Sequence, residues 1–242
     1  MHARFYVPDL QAHRPAALPP GEAEHLVRVL RLRAGDEVAV FDGRGHEYLA
    51  QVESTGRGVV IVRPTSARRP APEPAVRLSV AIGVTKGDRM DGAVRDAAML
   101  GASVVQPVVT ARAETTLASL ARGNRAERWR RVAVASVKQC GRAVVPDVRE
   151  PLELADYLAR ETADLRLLLV EPRAEGSSTL AGISTPESAA VLIGPEGGWT
   201  AAEIEAACRS GFHAITLGQR TLRADAMPIA AIAVLQFIWG DL

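Results

Sequence analysis

A chain of 242 residues, 48% hydrophobic and 24% charged, is long enough for one large or two modest globular units. It contains no apolar run near the ~20 residues that cross a bilayer. Its opening MHARFYVPDL lacks the apolar core of a secretory leader. Cys140 and Cys208 form neither a disulfide framework nor a metal spacing, so a cytoplasmic protein with two reduced, buried thiols is expected. His2, His13, His25, His46 and His213 show no ligand spacing either, and no metal is expected. The net charge of +1 conceals a division. Residues 1–75 carry 10 basic and 9 acidic side chains, 76–150 carry 13 and 7, and 151–242 carry 6 and 12. Such asymmetry marks a basic face on a nearly neutral chain.

The first 63 residues predict short strands at 4–7, 37–41, 46–52 and 58–62. The turn Asp42-Gly43-Arg44-Gly45 joins two of them as a hairpin. Closely spaced short strands indicate a small barrel. Between the first two, 21–32 reads as a helix. His25, Arg28 and Leu32 would share one of its faces, with Arg31 beside Arg28. That spacing suits a solvated basic face as well as a phosphate contact. Pro64, Pro70, Pro72 and Pro74 forbid helix or central strand. They divide the chain into a first domain at 1–66, a linker at 67–75 and a second domain at 76–242.

The second domain alternates strands (78–82, 104–108, 167–170, 191–193, 214–217) with helices near 88–100, 123–140, 152–160, 200–210 and 226–238, the pattern of a parallel α/β sheet. Arg122, Arg125, Arg128, Arg130 and Arg131 lie within ten residues, which suits a solvated helix or a phosphate track equally. Gln139-Cys140-Gly141-Arg142 closes that helix. Gly141 is explained as a helix end, whereas its flanking polar residues are not.

The stretch at 191–236 is the most informative. One strand stops at Gly194-Pro195-Glu196-Gly197-Gly198, followed by Thr200 and Glu203 as a capping box. A second strand stops at Gly218, roughly 24 residues on. Loops at the carboxyl ends of strands form the ligand crevice of an α/β sheet, and these two, side by side, predict a pocket walled by backbone. It is neither a GxGxxG loop nor a P-loop. Glu171, at the end of another strand, would line the same pocket.

The order Ile193-Gly194-Pro195-Glu196-Gly197-Gly198, then Leu217-Gly218 and Arg220 to Leu222-Arg223, then an apolar helix, resembles the carboxyl-terminal signature of the SPOUT, or trefoil-knot, methyltransferases. Within them it is most similar to the RsmE-type class. The resemblance implies a PUA-like barrel followed by a knotted α/β domain. It implies S-adenosylmethionine as cofactor, and N3 of a uridine in the 16S rRNA of the 30S subunit as acceptor. Glu171, Ile193, Gly194, Pro195, Glu196, Gly197, Gly198, Leu217, Gly218 and Leu222 would bind the cofactor. His25, Arg28, Arg31, Gln139, Arg142 and Arg220 would meet RNA, and Arg223 and Asp225 would act on the base. The class pattern K-G-x-[KR]-M matches Lys86-Gly87-Asp88-Arg89-Met90. Met99 stands where members carry glutamate. Ala224-Asp225-Ala226 replaces the usual x-E-T, so the acid is one methylene shorter. Members are dimers, and the apolar last helix suits a subunit contact. Two other readings stay open on the sequence: a related enzyme acting on a ribose 2′-hydroxyl or another base, and an RNA-binding protein without catalysis.

Overall fold

A computed structural model of the chain describes residues 2–56, 58–172, 174, 177–180 and 182–242. Two compact units are present: Met1–Glu73 with Val134–Val145, and Pro74–Ala133 with Pro146–Leu242.

In the first unit, β1 (Arg4–Tyr6), β2 (Ala16–Ala17), β3 (Glu37–Phe41), β4 (Glu47–Gly56) and β5 (Val59–Arg68) form a half-barrel sheet in the order β1-β3-β4-β5-β2. Alternate residues point inward, as the pleat requires. Phe5, Leu26, Val38, Val40, Val52 and Val62 make up much of its core, each fully buried aliphatic or aromatic side chain contributing about 1.5–3 kcal/mol. Strand β5 runs through Pro64, where the sequence predicted that a proline would end any strand. The register slips between Leu49 and Ala50 opposite that residue, so the missing N–H falls at a bulge.

The predicted helix at 21–32 is also corrected. A single α-turn, α1 (Pro20–Glu24), passes into a π-helical turn at His25–Val29. The Leu30 N–H reaches back five residues to the His25 carbonyl at 3.0 Å, and Arg31 leaves with φ +56°. Wider winding cancels the 3.6-residue spacing that put His25, Arg28 and Leu32 on one face.

The second unit is a seven-stranded parallel sheet. Its strands are β6 (Arg77–Gly83), β7 (Val104–Val109), β8 (Asp147–Val148), β9 (Leu152–Glu153), β10 (Leu165–Leu169), β11 (Ser188–Ile193) and β12 (His213–Ile215). The order is β12-β10-β11-β6-β7-β8, with β9 also on β7. Connecting helices are α2 (Arg89–Met99), α3 (Leu117–Arg122), α4 (Arg125–Cys140), α5 (Leu154–Arg160), α6 (Ala201–Arg209) and α7 (Met227–Trp239). Leu168, Leu192, Tyr157 and Phe212 anchor one buried cluster of the sheet and its covering helices. The expected single helix at 123–140 is α3 plus α4, broken where Asn124 takes φ +47°. Cys208 is exposed on α6, not buried as expected, while Cys140 is half-buried.

The two glycine-ended strands are not neighbours. Strand β10 lies between β11 and β12, pairing Leu168 with Leu192 on one side and with Ala214 on the other. The sequence could not give this order, because β10 precedes both partners.

Candidate active site

The insertion of β10 sets the geometry. Its end, Leu169-Val170-Glu171, projects between the loop after β11 and the loop after β12. Together these three ends enclose a cavity of about 680 Å³, within the range of ligand pockets. Of the expected cofactor residues, Glu171, Gly194, Pro195, Glu196, Gly198, Leu217 and Leu222 line it. Ile193 is buried in β11 and Gly197 faces a different cavity. Arg220, Arg223 and Asp225 stand on the same wall as Leu222.

The loop at 194–198 is held from several sides. The Glu196 carboxylate accepts from the Lys86 N–H at 3.3 Å and from Arg89 at 2.8 Å. Arg112 donates to the Gly197 carbonyl at 2.8 Å. The Trp199 indole N–H donates to the Leu169 carbonyl at 2.9 Å, tying the loop to β10. Thr200 and Glu203 form the expected capping box, and the other oxygen of Glu203 accepts from the Ala111 N–H at 2.8 Å. Glu196 was expected to meet the cofactor. It lines the cavity, and its carboxylate also shapes the loop.

Close approach explains the glycines. A Cβ on Gly194 would sit 3.1 Å from the Trp199 ring, and one on Gly197 would sit 3.0 Å from the Arg112 Cβ. Gly198 takes φ +67°, where only glycine is unstrained, and faces the Glu171 carboxylate. A Cβ on Gly83 would lie 2.6 Å from Pro195 Cδ. The wall thus combines tightly packed glycine backbone with three carboxylates, Glu171, Glu196 and Asp225, and the arginines Arg89, Arg112, Arg220 and Arg223.

Arg223 is 76% exposed and pairs with Asp225 at 3.3 Å. In the first unit, Arg28 is exposed and held by Glu24 at 2.6 Å, His25 opens the same π-turn, and Arg31 lies just beyond its end. Arg142 departs from the sequence picture of a substrate-side residue. It is 4% exposed, donates to Glu73, and its carbonyl accepts from Arg4 at 2.7 Å. A guanidinium so enclosed organises the unit; Gln139, one turn earlier, is exposed. The arginine run is divided. Arg128 pairs with Asp88 and Asp91, and Arg130 with Glu127 and Glu150, so those two do not form an open phosphate track.

The comparisons fit this architecture. Residues 72–236 match an RNA methyltransferase domain, and 18–65 match an RNA methyltransferase PUA domain. The chain belongs to the RNA methyltransferase family. A ribosomal RNA small subunit methyltransferase E of Synechocystis sp. is 31% identical over 93% of this chain and 74% of its own length. Among solved structures, a Legionella pneumophila methyltransferase with bound cofactor SAM superposes with a TM-score of 0.91 at 28% identity, over 98% of each chain. A ribosomal RNA small subunit methyltransferase E of Neisseria gonorrhoeae, bound to S-adenosyl methionine, gives 0.90 at 27%, over 99% of this chain and 98% of that one.

Around this cavity, sequence reasoning missed Arg112, Leu169, Trp199 and Met227 and gave Arg89 only as part of the Lys86–Met90 motif, although all five line it. Trp199 had a signal, since it sits directly between the glycine loop and the Thr200 cap. Arg112 had none. It follows an ordinary strand, and only the fold brings it to residue 197.

Proposed function

We propose that this chain methylates N3 of a uridine in the 16S rRNA of the 30S subunit, with S-adenosylmethionine as donor. The carrying observation is the Arg223–Asp225 pair on the wall of a backbone-lined cavity. The SAM-bound relatives of the same fold support the cofactor. The cavity suits such a cofactor because close packing of Gly194 on Trp199 and the positive φ of Gly198 hold the loop backbone beside the Glu171 carboxylate, offering main-chain donors and acceptors to an adenine edge. Gly194, Pro195, Gly198, Leu217 and Leu222 would hold it through main chain and apolar contact, whereas Ile193, Gly197 and Gly218 lie outside the lining. Glu171 would accept from hydroxyl groups.

When bound, the cofactor supplies an electrophilic methyl group on a sulfonium. The protein's own task is the acceptor. Uridine N3 becomes nucleophilic as its proton leaves, and the charge spreads over O2 and O4. Arg223 stabilises that anion, an interaction strongest in the transition state. Asp225 holds the guanidinium in place or takes the proton. Arg28, Arg31, His25, Gln139 and Arg220 bind phosphate and ribose, positioning RNA without reading its sequence. The first unit, residues 1–73 with 134–145 where the sequence suggested 1–66, would be the RNA-binding domain, and the trefoil knot implied by the resemblance belongs to this reading, as does a place in the cytoplasm beside the ribosomal substrate.

We infer that the chain works as a homodimer. Ile229, Val234, Phe237 and Ile238 of α7 are exposed, Phe237 at 71%, while the opposite face packs on α2. Large apolar side chains left on one helix face mark a subunit contact.

The test is to incubate unmodified 30S subunits with the protein and methyl-labelled S-adenosylmethionine, then digest the RNA and locate the label by mass spectrometry. Label as 3-methyluridine is expected. Label on a ribose 2′-oxygen or another base overturns the acceptor assignment.

A further inference from the structure

A second cavity of about 590 Å³ opens in the same unit beyond the ends of β6 and β7. Arg89, Arg112 and Glu196 line both cavities, so it abuts the cofactor pocket. Its apolar lining is Val84, Leu120 and Trp129, the last 2% exposed. Its rim carries four cations, Lys86, Arg89, Arg112 and Arg125, against Glu114 and Glu196. Three cations have engagements: Lys86 with Glu114, Arg89 with Glu196, and Arg112 with the Gly197 carbonyl. Arg125 carries no hydrogen bond or ion pair among the described residues, and its side chain lies against Gly123, whose Cβ would come 3.5 Å from its Cγ and Nε. Thr85 also lines the cavity, is 8% exposed, and its hydroxyl finds no partner. A buried hydroxyl without a partner is uncommon and calls for a reason.

We propose that this cavity receives a nucleotide of the RNA flanking the methylated one, its phosphate on Arg125 and its base over the apolar lining with a polar edge on Thr85. A rim with an excess of positive charge, backed by the buried Val84, Leu120 and Trp129 and by an unpartnered buried hydroxyl, suits an unstacked nucleotide. Adjacency through Arg89, Arg112 and Glu196 puts that nucleotide next to the reacting base. This rests on the reading of the chain as an rRNA methyltransferase.

The experiment compares the parent, Arg125→Ala and Thr85→Val. It measures KM for unmodified 30S subunits across salt concentrations, and S-adenosylmethionine affinity by calorimetry. Arg125→Ala is expected to raise KM about tenfold at low salt and to lower the slope of log affinity against log salt by about one, with cofactor affinity held. Thr85→Val is expected to raise KM several-fold without changing that slope, and to melt no lower than the parent, since an unpartnered hydroxyl is removed. A parent-like KM and slope in Arg125→Ala overturns the proposal while leaving the enzymatic reading intact. Loss of cofactor affinity in step with KM also overturns it, by making the cavity part of the cofactor site. A parent that transfers no methyl group to 30S subunits sinks both.

Discussion

Gly83→Ala tests whether β6 shapes the cofactor loop. A Cβ at residue 83 would lie 2.6 Å from Pro195 Cδ and 2.7 Å from Pro195 N, whereas ordinary contact begins at 3.4 Å. The shortfall is about 0.8 Å, and it falls partly on backbone, which cannot swing aside as a long side chain would. Pro195 must therefore move, and with it the loop that Trp199 ties to β10 at 2.9 Å. Overpacking of this kind costs about 1–3 kcal/mol, equivalent to a melting point lower by roughly 2–10 °C for a chain of this size. The shift also displaces the main chain of the cavity by a large part of an ångström. Loss of one or two main-chain hydrogen bonds, about 1.5 kcal/mol each, is expected to weaken S-adenosylmethionine affinity about 10- to 100-fold by calorimetry. Gly21→Ala is the control, because nothing lies within 4 Å of its Cβ and it sits in α1; it should melt no lower than the parent. If Gly83→Ala binds the cofactor and melts as the parent does, the residue 83–195 contact does not set the loop.

Arg223→Ala should lower single-turnover methylation ~100- to 1,000-fold while cofactor affinity is kept; full transfer would remove Arg223 from the mechanism. Asp225→Asn should lose less if the carboxylate only orients Arg223, and its rate–pH profile should lose the acidic limb if it is the base. Arg28→Ala and Arg31→Ala should weaken 30S binding and its salt dependence, with little change in turnover at saturating subunits. Phe237→Asp should sediment as a monomer at concentrations where the parent is a dimer; a parent that is itself monomeric refutes the subunit contact. Burial pushes the Asp42 carboxyl up, but bonds from the Arg44 and His46 N–H groups and the His46 ring outweigh it, and its pKa falls below the ordinary 3.8. That contribution is present above the ordinary value and lost as pH falls through the lower folded one. Asp42→Asn should thus cost about 1–3 kcal/mol near neutrality, a gap that closes below about pH 4 in urea titrations.

Local patterns carried well into the structure. The capping box at Thr200 and Glu203 formed as read, because both partners lie within one turn and need nothing from elsewhere. The hairpin glycines, Gly43 at φ +76° and Gly45 at φ +108°, take the turn angles expected, while their bridges to residues 143–145 come from a distant segment that no local pattern announces. What sequence could not supply was lateral order and long-range pairing. Nothing in residues 165–169 states that both neighbours come later, and nothing around Arg142 announces that Glu73 will bury it. The π-turn at His25–Val29 escaped for another reason: helical spacing presumes 3.6 residues per turn, and insertion of one residue is invisible in an apolar pattern. Arg223 and Asp225, named through the family resemblance, do reach the cavity wall, because the loop that carries them follows Gly218 directly.

The sheet order has a consequence for biosynthesis. Both hydrogen-bonding edges of β10 wait for partners made later, and Val80 of β6 meets Val191 of β11 only after the intervening chain has been produced. The 46 residues from Val170 to Ile215 take about 2–9 s to synthesise at ~5–20 residues per second. Until Ile193 is made the apolar segment Leu165–Leu169 has two open edges, and until Ile215 one, the condition under which nascent chains pair wrongly with one another. Fragments released before residue 188 should therefore depend on chaperones far more than the full chain, although their first 73 residues are already complete.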